Sequence, residues 1–90
     1  MKVRKSGGNL QEFDIRKIKL VLERVSDECS ESMNASDVKI ISRSIQRTAE
    51  EKFGDVIGHK DLRFVVRDTL QQNGFGDVAD CYMQGRTASD

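Results

Sequence analysis

Lys5 and Lys17 stand on either side of a glycine-bearing turn in this 90-residue chain, and their spacing suggests phosphate chemistry. Lys5 immediately precedes Ser6-Gly7-Gly8-Asn9, a run that can reverse the chain because glycine and asparagine tolerate positive φ. Lys17 lies one turn into a helix that Asp14 is placed to cap. If the extended segment folds back over that helix, both ammonium groups reach one small space. Backbone amides and the positive end of the helix dipole lie close by. Phe13 and Ile18 would supply apolar walls suited to the face of a base. The spacing alone also permits Lys5 and Lys17 to be ordinary solvated lysines.

Catalytic motifs do not compete with this reading. The chain has no G-x-S-x-G, H-E-x-x-H, Walker A or C-x-x-C sequence. His59 is the single histidine, and Glu50-Glu51 read as a solvated helix face. Two cysteines are too few for a disulfide scaffold or a cysteine-only zinc site. Cys29 falls on an apolar stripe and reads as a buried, inert thiol. No apolar run exceeds three residues, as in Leu20-Val21-Leu22, which excludes a helical membrane span or secretory core. Together with the sparse cysteine, this points to a cytoplasmic protein.

Charge narrows the partner. The formal net charge is zero, with 15 basic and 15 acidic residues. Residues 1–24 hold seven basic groups and three acidic ones, so an acidic remainder balances a basic first quarter. That suits a small anionic ligand better than a polyanion. Arg43, Arg47, Arg63 and Arg67 could stripe two helices against DNA, but neutrality and the interspersed Glu50, Glu51 and Asp68 argue against it.

The elements that must position these groups can be read along the chain. Val3, Leu10 and Phe13 flank the glycine turn and predict a β-hairpin. From Ile15 the period lengthens, and Ile18, Leu22, Val25 and Cys29 mark an amphipathic helix. Ser36 is the expected cap of a second helix through Val38, Ile41, Ile45 and Ala49, ended by Gly54. Residues 55–59 read as a short link. A third helix carries Leu62, Val65, Val66, Thr69 and Leu70 to Asn73-Gly74, and a fourth spans about Gly76 to Arg86. The expected fold is mainly α, with a small N-terminal β-hairpin capping a four-helix bundle. Residues 1–86 would form one domain and residues 87–90 a disordered tail.

The hairpin run, from Val3 to Ile18, resembles the opening of an ATP-cone domain. That family typically reads V-x-K-R-D-G, then a few residues, then F-D-x-x-K-I. Val3, Lys5, Gly8, Phe13, Asp14, Lys17 and Ile18 match without a gap. The run from Gly74 to Arg86 is similar to the family's G-[FY]-x-x-[VA]-A-x-x-Y-x-x-x-R ending, and the resemblance spans about residues 2–86.

The resemblance implies a non-catalytic regulatory module binding ATP or dATP, with Mg2+ as a possible companion ion. Val3, Lys5, Gly8, Phe13, Lys17 and Ile18 would form the nucleotide site, with Lys5 and Lys17 on phosphates and Phe13 and Ile18 on the base. His59 and Arg63 would sense sugar and phosphates, and Arg86 would add a phosphate contact. The implied partner is a ribonucleotide reductase or a second copy of the module, with nucleotide drawing the hairpin onto the bundle. Two departures matter: Ser6 and Gly7 stand where the family usually has Arg and Asp. Losing one charge-assisted bond to phosphate costs roughly 1.5–3 kcal/mol. The alternative is therefore a degenerate cone that no longer binds nucleotide and serves as a protein-interaction module.

Overall fold

The computed structural model of the chain describes residues 1–31 and 33–84. Its elements run β1 (Lys2–Arg4), β2 (Leu10–Glu12), α1 (Ile15–Glu28), α2 (Ala35–Phe53), β3 (Val56–Gly58), α3 (His59–Gln72) and α4 (Gly76–Met83). The described chain is mainly helical, as the apolar periodicity predicts.

β1 and β2 form the expected antiparallel hairpin. The Gly8 N–H donates to the Lys5 carbonyl at 2.9 Å, and the Lys5 N–H donates to the Asn9 carbonyl at 2.8 Å. Such a three-residue loop needs a left-handed residue at its end, and Gly8 takes φ 89°. Val3 pairs with Gln11 and Lys2 with Glu12. Alternation therefore sets Val3, Lys5, Gln11 and Phe13 on one face, and Lys2, Arg4 and Glu12 on the other. On that outer face, Lys2 Nζ bonds Glu12 Oε1 at 2.6 Å.

The sheet corrects the hairpin-capped four-helix bundle in one respect: it has three strands. Residues 56–58, expected to be link, form β3 and pair in parallel with β1, Val3 opposite Ile57. The Lys2 N–H donates to the Asp55 carbonyl at 2.7 Å. Val3 and Ile57 join the helical core, exposed by only 6% and 1%. A three-residue strand with a partner this distant in sequence leaves no local period to read. Its consequence is mechanical, because the hairpin is hydrogen-bonded to the strand that leads straight into α3.

Local chemistry sets the helix ends. Asp14 caps α1, Oδ1 accepting from the Arg16 N–H at 3.0 Å. α2 starts one cap earlier than the sequence suggests: Asn34, not Ser36, is the N-cap. Asn34 Oδ1 accepts from the Asp37 N–H at 2.8 Å, and Asp37 Oδ2 accepts from the Asn34 N–H at 3.2 Å. This reciprocal box satisfies two end donors at once, which Ser36, already inside the helix, cannot do. Gly54 ends α2 at φ 72°.

α1 and α3 close with the same paired bonds to the preceding turn. In α3, the Phe75 and Gly74 N–H groups donate to the Leu70 and Gln71 carbonyls, with Gly74 at φ 85°. In α1, the Glu31 and Ser30 N–H groups donate to Ser26 and Asp27, but the left-handed position is Ser30, at φ 56°.

The core gathers Leu22 and Val25 of α1, Ile41 and Ile45 of α2, Val66 and Leu70 of α3, and Val78 of α4 around Ile57. Leu20 and Ile40, at the margins of their apolar stripes, are exposed. Cys29, at the C-cap of α1, is bonded to Cys81 of α4, with Cα atoms 6.2 Å apart. This corrects the reading of Cys29 as an inert thiol. Packing brings two helices 52 residues apart side by side, a proximity that sequence spacing does not encode. Among the described residues no helix is long and apolar enough to cross a membrane. The expected extension of α4 to Arg86 and the expected tail at 87–90 lie outside the described residues.

Candidate functional site

A cavity of about 210 Å³ opens between the inner face of the hairpin, the first half of α1 and the first two turns of α3. Strand alternation delivers Val3, Lys5 and Gln11 to it, while Phe13 enters from the chain leading into α1. The Phe13 N–H donates to the Met1 carbonyl at 3.0 Å, which continues the hairpin ladder. Helical spacing then places Lys17, Ile18, Val21 and Leu22 along the α1 side. His59, Leu62, Arg63 and Val66 line the α3 side, and Tyr82 closes the floor from α4.

Seven residues expected from sequence to share a site therefore line one cavity: Val3, Lys5, Phe13, Lys17, Ile18, His59 and Arg63. Gly8 does not line it; its place is the loop that turns β1 into β2. Arg86 lies outside the described residues. Sequence reasoning singled out neither Gln11 nor Tyr82 for this place. Gln11 is the partner of Val3 across the hairpin, so its side was legible from the turn register. Tyr82 carried only a core signal.

The electrostatics are one-sided. Two carboxylates border the cavity, but each is held by a cation. Glu12 lies below the usual carboxylate range, chiefly through its hydrogen bond to Lys2. Asp14 is lowered in the same way, first by the Arg16 side chain and then by the Arg16 N–H. Among the described residues the third ion pair is Arg67–Asp68. None of the three uses Lys5, Lys17 or Arg63. Three cations outside these ion pairs thus border a largely apolar chamber, Lys17 from its exposed rim, where its charge adds to the pull on Asp14.

Arg63 is the most constrained of them. Its Nη2 donates to the Met83 carbonyl at 3.4 Å, and its Cζ stands 5.9 Å from the centre of the Tyr82 ring. Its Nε is buried and has no hydrogen-bond partner among the described residues. A buried donor left unmatched costs about 1–3 kcal/mol. Burial raises the Tyr82 phenol above its ordinary value, against the opposing pull of the Arg63 charge. The phenol is therefore protonated at neutral pH.

His59 opens α3, whose N-cap, Gly58, supplies no side-chain hydrogen bond. Asp61 already places one carboxylate in the first turn of this helix, where the dipole favours negative charge. His59 Nδ1 lies 3.2 Å from the Arg4 carbonyl. A carbonyl only accepts, so Nδ1 carries the proton in that contact and Nε2 is the remaining ring nitrogen. The contact also ties the first residue of α3 to β1.

Two of the four arginines considered for DNA, Arg63 and Arg67, have other contacts. Arg63 borders the cavity, whereas Arg67 covers the Phe64 ring at 5.0 Å and bonds Asp68. Among the described residues no cluster of His, Cys, Asp and Glu could hold a metal ion. Apolar walls, a mixed amide and phenol, and three cations can accept a flat heterocycle joined to a polyanion.

No curated protein matches the chain. The family model of the ATP cone domain matches residues 1–90, the full length. The chain belongs to the ATP-cone family of regulatory, non-catalytic nucleotide-binding domains.

Proposed function

We propose that this protein is a purine-nucleotide sensor binding ATP or dATP in the cavity between hairpin, α1 and α3, and acting on a partner through that binding. The carrying observation is the convergence of Lys5, Lys17 and Arg63, none ion-paired among the described residues, on one apolar chamber. Lys5 and Lys17 hold phosphates, with Mg2+ screening them if it accompanies the nucleotide. Phe13 and Ile18 sandwich the base, and the Gln11 amide offers its edge both a donor and an acceptor. Arg63 and His59 take the sugar–phosphate end beside the first turn of α3. The residues suit this group, since the cavity borders three cations that no ion pair of the described residues uses.

The setting is the cytoplasm, and the partner is a ribonucleotide reductase or a second copy of the module. Because β1 is stitched to β3, binding acts by firming the hairpin–α3 unit rather than by closing a lid. The free energy transmitted to a partner is limited to the difference in nucleotide affinity between the two states.

Calorimetric titration with ATP, dATP and GTP tests the reading. Saturable heat with ATP or dATP and a rise in melting temperature are expected. No heat and no thermal shift at millimolar nucleotide would overturn it. A degenerate cone remains the rival because Ser6 and Gly7 occupy the phosphate end of the motif. Binding that emerges only in Ser6→Arg would favour that rival.

A further inference from the structure

The Cys29–Cys81 bond ties the end of α1 to α4, the helix that carries the residues holding Arg63. Cys81 is followed by Tyr82 and Met83, and these two residues hold the Arg63 guanidinium through the ring face and the Met83 carbonyl. The helix that presents them, α4, has eight residues and no side-chain N-cap. A helix this short is marginal without external support. Its support is the packing of Val78, Ala79 and Tyr82, together with the covalent tie to the end of α1. Both cysteines are partly exposed, within reach of a small reductant.

The reduced state is also accommodated. Cys29 Sγ lies 3.2 Å from the Asp77 carbonyl in the first turn of α4. In the disulfide that sulfur carries no proton, so the approach is only a contact. In the thiol it becomes an S–H donor facing an acceptor already in place. A cytoplasmic disulfide is more often transient or redox-sensing than structural.

We propose that Cys29–Cys81 is a redox-controlled strut that sets nucleotide affinity through the position of Arg63. This inference rests on the nucleotide-binding reading above. The reductant is a dithiol: one of its thiolates attacks a sulfur of the pair, the Cys29–Cys81 bond breaks, and a mixed disulfide forms. The second reductant thiolate then releases the protein sulfur. The protein gains two electrons and two protons, and the reductant leaves as its own disulfide. Freed from α1, α4 no longer fixes Tyr82 and Met83 against Arg63, and the guanidinium loses its aim.

The test compares ATP affinity of oxidised and dithiol-reduced protein, well below either melting temperature, with the redox state assigned by thiol alkylation and mass. Reduction is expected to weaken ATP binding about tenfold, the scale of one charge-assisted bond, and reoxidation to restore it. The variant Cys29→Ser/Cys81→Ser should match the reduced protein. In Arg63→Ala the redox dependence should vanish, a result that general loosening of the fold would not give. Amide exchange should rise on reduction mainly over residues 76–83, with or without nucleotide. Equal ATP affinity in both states overturns the strut and leaves the nucleotide reading intact, as does an unchanged redox effect in Arg63→Ala. No binding in either state overturns both.

Discussion

At Lys17 the chain brings an exposed ammonium group, outside the ion pairs of the described residues, to the edge of an apolar cavity. Because no ion pair is broken by its removal, Lys17→Ala should leave folding nearly unchanged. It should weaken ATP binding about ten- to a hundredfold, the worth of one charge-assisted phosphate bond. Calorimetry of the variant checks the first expectation against the second, and unchanged affinity would remove Lys17 from the site. Tyr82 allows a separate check by pH. Its folded-state value lies above the ordinary 10.0 because burial disfavours the phenolate. The unfolded chain therefore releases its proton first as pH rises, and the stability Tyr82 contributes is complete below about pH 10 and lost above it. Denaturant melts of Tyr82→Phe should show a shallower alkaline decline than the parent; equal slopes would contradict the assigned burial.

At the scale of elements, the two matching helix ends make an internal experiment. Gly74 and Ser30 occupy equivalent left-handed positions at φ 85° and 56°, but only serine carries a Cβ that resists it. Ser30→Gly should therefore stabilise the fold by about 0.5–1 kcal/mol, after the glycine entropy is set against the relieved strain. A destabilised variant in urea would show that the serine side chain contributes something the backbone account omits. The disulfide acts on a larger scale, since it closes a loop of 52 residues. In the chain-entropy treatment that constraint is worth roughly 4 kcal/mol. Reduction should lower the melting temperature by roughly 15–30 °C for a domain of this size. A shift of only a degree or two would mean that the unfolded chain is already compact.

For the molecule as a whole, what was legible in the sequence was what local chemistry decides. The Asp14 cap, the Gly54 stop and the Asn73-Gly74 ending are settled within one helical turn, and the inward stripes of all four helices follow from period alone. What escaped depends on segments meeting across the chain. β3 is three residues long and becomes a strand only because β1 lies beside it. Cys29 and Cys81 become a bond only because α1 packs on α4. Asn34 and Ser36 offer competing caps two residues apart, and the reciprocal bond from Asp37 decides between them. The site shows the same division. Lys5, Phe13, Lys17 and Ile18 belong to one continuous motif, whereas Tyr82 joins them from the far end of the chain.

These scales meet in one claim: hairpin, α1 and α3 together grip a purine triphosphate. Residue-resolved NMR of the oxidised protein titrated with ATP tests it most directly. Saturable shifts are expected, concentrated at Lys5, Gln11, Phe13, Lys17, Ile18, His59 and Arg63, with little change on the outward face of α2. Shifts that spare the cavity, or cluster on the outer surface of the bundle, would contradict it.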